Sequence, residues 1–201
     1  MGKLFVFEGP DGNGKTTIVK AVSELLNAKN IVAKSCSFPG KEPSSLGSLI
    51  YDLHHNPSKF KVNKLNPISL QTMHVAAHIE SIQGYIKPAL EETEILLLDR
   101  YWWSTIVYGQ ASGIPESSLK KLISWENEFW QGVLPKCIFL ILKKEKPFRA
   151  EMEHLHWTGL QDKYLSLSKQ ESKNQEVVNI YNDGSLEEIV EMIVGRILHR
   201  E

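Results

Sequence analysis

Residues 9–16 read Gly9-Pro10-Asp11-Gly12-Asn13-Gly14-Lys15-Thr16, the pattern G-x-x-x-x-G-K-[ST]. They stand between an apolar run, Leu4 to Phe7, and a segment of helical periodicity from Thr16 to Ala28. A strand that feeds a helix through such a turn is the setting in which the pattern has a mechanism. Glycines at 9, 12 and 14 let the backbone curl with its N–H groups facing inward, and the helix start adds its partial positive charge. The loop therefore reads as a phosphate cradle made by Gly9, Asp11, Gly12, Asn13, Gly14, Lys15, Thr16 and Thr17. Lys15 can bridge the β- and γ-phosphates of ATP, and the Thr16 hydroxyl can hold Mg²⁺. No G-x-G-x-x-G follows that strand, which excludes a dinucleotide-binding turn.

The rest of the chain continues the alternation. Leu4 to Phe7, Ile31 to Cys36, Ile95 to Leu98, Cys137 to Leu142 and Val177 to Tyr181 are near-continuous apolar runs, as buried parallel strands require. Thr16 to Ala28, Ser45 to His54, Ile68 to Leu90, Pro115 to Trp130 and Ser185 to His199 read as helices. The last opens with a capping box, Ser185 and Glu188, and carries the stripe Ile189, Met192, Ile193, Ile197. The expected fold is α/β: a three-layer α/β/α P-loop NTPase fold with a five-stranded parallel sheet. A length of 201 residues suits one domain over 1–201. Asn56 to Asn66, polar and with two prolines, reads as a surface loop. Lys143 to Trp157 and the polar Ser166 to Glu176 read as a mobile lid-like cover over a site, or else as a solvated helix pair.

Glu94 to Asp99 is an apolar strand ending in acid, a placement that sets Asp99 at the carboxyl edge of the sheet beside a metal ion. The adjacent Arg100 can grip an acceptor phosphate, or the phosphoryl group in transit, with a planar fork. Lys15, Asp99 and Arg100 are thus the catalytic candidates, with Thr16 and Asp99 as metal ligands. Tyr101, Trp102, Trp103 and Tyr108 form a dense aromatic group suited to core packing or to ligand contact.

Charge and cysteine usage narrow the classes. Lys plus Arg (23) nearly balance Asp plus Glu (24), so no broad basic footprint exists for a nucleic-acid polymer. Cys36 and Cys137 lie in or beside apolar runs without metal-ligand spacing and read as reduced thiols. No apolar stretch is long enough to span a bilayer, and the Leu4–Phe7 run is too short for a signal-peptide core. A cytoplasmic location follows as the expectation. A guanine-reading N-K-x-D is missing, since Asn63-Lys64-Leu65-Asn66 lacks the carboxylate, which argues against a GTPase switch.

Three motifs together resemble thymidylate kinases: Phe7-Glu8-Gly9-Pro10-Asp11-Gly12-Asn13-Gly14-Lys15-Thr16-Thr17; Phe38-Pro39-Gly40 with Leu46-Gly47; and Asp99-Arg100-Tyr101 with Ser104 and Tyr108-Gly109-Gln110. The resemblance implies ATP and Mg²⁺ on the donor side, a deoxynucleoside monophosphate as the small-molecule acceptor, and a homodimer. It implies that Asp11 and Arg100 position the acceptor, with Tyr108 against its sugar or base and Phe38, Pro39 and Tyr101 nearby. Departures fall on the acceptor side. The family's arginine before the Pro-Gly segment is replaced by Ser37 and Phe38, leaving Lys41 as the candidate substitute. A phenylalanine and an arginine of the long helix fall on His74 and His78, and the lid offers only Arg149 before Tyr164. His74 and His78 share a helical face and can stack on a base, donate to a phosphate or ligate a metal. The leading expectation is a nucleoside monophosphate kinase acting on dTMP. The alternatives are a kinase of the same fold acting on a nucleoside, a modified nucleotide or another small molecule, and a nucleotide-binding protein without catalysis.

Overall fold

A computed structural model describes residues 1–40, 44–147 and 154–199, the first two residues of the last stretch by backbone alone. β1 (Lys3–Glu8), β2 (Ala33–Ser37), β3 (Ile95–Asp99), β4 (Cys137–Leu142) and β5 (Val177–Tyr181) form one parallel sheet in the order β2-β3-β1-β4-β5. The register sets Phe7 opposite Asp99 and Glu8 opposite Leu140, so the strands beside β1 end on one edge. The chain builds first to one side of β1 and then to the other, and ligands of open α/β sheets bind outside the carboxyl ends where that reversal occurs.

Side chains alternate across each strand, and here both sets are apolar because helices cover both faces. Phe5, Phe7, Leu97, Phe139 and Ile141 face α1 (Lys15–Ala28) and α8 (Leu186–Leu198) through Ile18, Val22, Leu26, Ile193 and Ile197. Leu4, Val6, Leu96, Leu98 and Leu140 face α4 (Lys87–Glu92), α5 (Trp102–Ala111) and α7 (His154–Glu171). α2 (Leu46–His55), α3 (Pro67–Ser81) and α6 (Glu116–Phe129) pack together beyond that layer. The three-layer α/β/α P-loop NTPase fold with its five-stranded parallel sheet is as the sequence predicts.

Several local expectations need correction. Ser185 caps α8 through the Glu188 N–H as expected, but Met192 is half exposed and the buried stripe runs through Ile189, Val190, Ile193, Val194 and Ile197. The helix expected over Ile68 to Leu90 runs from Pro67 to Glu92 with a π-helical turn at Ile82–Ile86, where Lys87 N–H reaches back to Ile82. Pro88 cannot donate to the preceding turn and its ring crowds the carbonyl there, which favours the looser i→i−5 pattern. Ile82, Ile86 and Leu90 then all reach the core. Asn56 to Asn66 is a loop except for a 3₁₀ turn at Pro57–Phe60.

α5 has no counterpart in the sequence reading. Trp103, Thr105, Ile106, Val107 and Gly109 are buried and no residue of it is freely exposed, so it lacks the solvated face that shows a helical period. Of the segment Ser166 to Glu176, the residues up to Glu171 belong to α7. Trp157, Leu160, Tyr164 and Ser168 are buried at helical spacing along that helix. Residues 148–153, at the centre of the predicted lid and including Arg149, lie outside the described residues, as does Lys41.

Candidate active site

The phosphate loop leaves β1 at Gly9, where φ is +138°, and the carbonyl oxygen of Ile141 on β4 lies only 2.2 Å from where a Cβ would stand. At its far end Gly14, with φ +87°, is the N-cap of α1, and no side chain caps that helix. Its first N–H groups thus remain available to an anion, reinforced by the helix dipole. Asn13, fully buried, braces the loop from inside: its amide donates to the Ile141 carbonyl at 3.0 Å, and Trp157 Nε1 donates to its side-chain oxygen at 3.2 Å. The Asn182 amide, just past β5, donates to the Asn13 carbonyl at 2.8 Å.

Lys15 is buried, its Nζ donating to the loop's own Pro10 carbonyl at 2.8 Å. Burial and the Arg100 charge pull its pKa down to about 8, while Asp99, Asp11 and Glu8 work to hold the proton on. Among the described residues this ammonium has no carboxylate in ion-pair contact, and a polyphosphate supplies the missing charge. Thr16 Oγ1 donates to Asp99 Oδ2 at 2.5 Å, so the hydroxyl and carboxylate expected to share a cation meet. Two hard oxygen donors with no thiolate or imidazole suit Mg²⁺, which takes few protein ligands and completes its shell with phosphate and water. Among the described residues no group of three His, Cys, Asp or Glu could cage a metal, so the His74 and His78 pair makes no metal site there.

Beyond Asp99 the backbone turns sharply: Arg100 has φ +84°, a costly conformation for a residue with a Cβ, and its N–H donates to the Phe7 carbonyl at 2.9 Å. The guanidinium donates to Asp11 from Nη2 and to the Ser104 hydroxyl from Nη1 at 2.8 Å, and it lies 5.5 Å from the Tyr108 ring centre. Tyr108 Oη donates to Asp11 Oδ2 at 2.6 Å. For Asp11, burial would raise the pKa, but Arg100, Lys15 and the Tyr108 hydroxyl together hold it below its usual value. Asp11, Arg100 and Tyr108, predicted separately, thus form one cluster beside the loop.

Phe38 is buried at the end of β2, its N–H bonded to the Asp99 carbonyl at 2.9 Å, and Pro39 follows. The Phe38 ring stacks on His78 at 4.0 Å. His78 Nδ1 lies 2.8 Å from Glu126 Oε2, and Trp130 Nε1 donates to the other oxygen at 3.1 Å. All three residues are buried, so His78 is held between Phe38 and Glu126. Replacing Glu126 by Ala strands two buried donors and should cost about 3 kcal/mol, read as a lower urea midpoint at unchanged slope. His74 stands 6.4 Å from His78, centre to centre, and 5.6 Å from His54 of α2. Burial, with the nearby charges of His78, His54, Arg100 and His55, lowers its pKa to about 3, so it is a neutral imidazole. Tyr101 and Trp103 belong to the core, whereas Trp102 and Tyr108 are only partly buried.

Sequence reasoning missed Glu8, Ser104 and Tyr164 as one unit. Glu8 is fully buried and accepts from the hydroxyls of Ser104 (2.9 Å) and Tyr164 (3.1 Å). An acid directly behind an apolar strand was the available signal, but its partners lie 96 and 156 residues away.

Comparison with known proteins bears on the whole of this arrangement. The family model for thymidylate kinase matches residues 7–193. A thymidylate kinase of Legionella pneumophila strain Paris is 30% identical over 200 residues, 94% of this chain and 90% of that protein. One from Caldicellulosiruptor saccharolyticus is 26% identical over 205 residues, 96% and 94% of the two chains. A third, from Legionella pneumophila strain Corby, is 37% identical over 107 residues, so the chain spans about half of it (49%). With the phosphate loop, the Asp99-Arg100 edge and a match over most of its length, the chain belongs to the thymidylate kinase family.

Proposed function

We propose that this protein is an ATP-dependent nucleotide kinase that transfers the γ-phosphate of ATP to dTMP, giving dTDP and ADP. The observation that carries the reading is convergence at one sheet edge: an open phosphate loop with a desolvated Lys15, an oxygen pair for a cation, and an Arg100 fork 2.8 Å from Ser104 and bonded to Asp11. Little covalent work is asked of such a site, which places an acceptor oxygen in line with the γ-phosphate and spreads positive charge around it. The N–H groups of the loop and Lys15 hold the donor phosphates. Thr16 and Asp99 hold Mg²⁺, which supplies charge neutralisation on the β- and γ-phosphates. Arg100, bonded to Asp11 through Nη2, takes the acceptor phosphate, while Tyr108, Phe38, Pro39 and Tyr101 shape the acceptor side with Lys41. Arg149 belongs to the same reading as a lid cation. A cytoplasmic homodimer of single-domain subunits completes it, favoured by the half-exposed Trp125 packed on Phe129 of α6. No helix among the described residues is long and apolar enough to cross a membrane.

The neutral His74 favours a second reading, in which the acceptor is a nucleoside or modified nucleotide needing fewer fixed cations. ADP release from Mg-ATP with each nucleoside monophosphate and nucleoside in turn separates the two. Selective turnover of dTMP is expected. Turnover of a nucleoside alone supports the second reading, and none with any nucleotide defeats the first.

A further inference from the structure

Glu8, the last residue of β1, has the most crowded carboxylate near the site. Its Oε1 accepts the backbone N–H groups of Tyr101 (2.8 Å) and Ser104 (3.0 Å). Its Oε2 accepts the hydroxyls of Ser104 (2.9 Å) and Tyr164 (3.1 Å) and the Gly9 N–H (3.3 Å). Donors converge on both oxygens in a fully buried position, so the carboxyl group is held from every side. Burial raises its pKa, and the charges of Arg100 and Lys15 with these hydrogen bonds oppose the rise.

That acceptor lies at the start of α5, whose N-cap residue Tyr101 makes no side-chain cap of its own. A carboxylate from β1 thus does for α5 what a capping aspartate does from within a helix. It also orients the Ser104 hydroxyl. With its single proton directed to Glu8, the Ser104 oxygen is left to accept from Arg100 Nη1 at 2.8 Å, and Tyr164 Oη closes the triangle 2.9 Å away. Arg100, on a backbone at φ +84°, needs its direction enforced from outside.

We propose that Glu8 is a positioning residue for phosphoryl transfer: through Ser104 it fixes the Arg100 guanidinium toward the acceptor, and through Tyr164 it ties α7 to the same point. The proposal rests on the reading of Arg100 as the acceptor's grip. Steady-state kinetics of Glu8→Gln, Ser104→Ala, Arg100→Ala and the paired variants with Mg-ATP and dTMP test it. Glu8→Gln and Ser104→Ala should each lower kcat/KM for the acceptor roughly 10²-fold with KM for ATP nearly unchanged, since a small misdirection of a reacting group costs that much. Because the two act in series, the double variant should lose no more than the worse single one. Additive losses, or equal changes in both KM values, overturn the proposal. Should Glu8→Gln not fold, Ser104→Ala is read against Arg100→Ala. Its effect should vanish in that background, and persistence there overturns the proposal. A full rate in Arg100→Ala alone removes the reading beneath it, an outcome distinct from failure at Glu8.

Discussion

Lys15→Ala should lower the rate of ADP formation by about 10³-fold, equivalent to ~4 kcal/mol of transition-state stabilisation. The same substitution should leave the melting temperature unchanged or slightly raised. Both expectations follow from one observation. The ammonium is buried against the Pro10 carbonyl with no ion-paired carboxylate among the described residues, and burial and Arg100 already pull its pKa down to about 8. In the free protein Lys15 is therefore a desolvated charge that adds little to stability, and its removal relieves that cost. With ATP in the loop the ammonium meets the charge it lacks, and this part of the stabilisation grows as charge shifts on the γ-phosphate. Turnover and a thermal melt on the same preparation check the pair of outcomes. A large fall in melting temperature would show that the loop needs Lys15 to hold its shape.

The opposite pattern is expected at Gly9. A Cβ there would lie 2.2 Å from the Ile141 carbonyl oxygen and 3.2 Å from its carbon, on a backbone with φ +138°. The obstacle is backbone of a paired strand, so relief requires β1 and β4 to separate or the loop to leave β1 in another direction. Gly9→Ala should cost at least about 3 kcal/mol. In a chain of this size that is a fall of roughly 6–12 °C in melting temperature. ATP binding should be lost along with it, because the displaced loop no longer points its N–H groups at one centre. Calorimetric titration with ATP at a temperature where the variant remains folded separates loss of binding from loss of fold. Full affinity there contradicts the geometry.

Much of the architecture was legible because parallel strands announce themselves. Cys137–Leu142 and Val177–Tyr181 have the predicted bounds, and Ile95–Asp99 exceeds the prediction by one residue. The phosphate loop was legible for a different reason: its chemistry sits in consecutive residues. α5 and α7 were hidden for opposite causes. The first has no freely exposed residue and so no solvated side, whereas the buried stripe of the second, Trp157, Leu160, Tyr164 and Ser168, is diluted by charged and polar neighbours. The acceptor side was legible only as residue types. That His78 meets Glu126, 48 residues on, while His74 remains beside His54, depends on how α2, α3 and α6 pack, and no local pattern encodes that. Glu8 shows the same limit, since all its partners but Gly9 come from α5, its N-cap and α7.

The buried Asn13 gives the site a timetable. Its motif precedes the groups that hold it, Ile141, Trp157 and Asn182, by 128, 144 and 169 residues. A nascent chain stopped after α6 carries every residue of the phosphate loop and none of these three anchors. The braced form of the loop is therefore complete only after β4, α7 and β5 have joined it and Asn182 reaches back across the sheet.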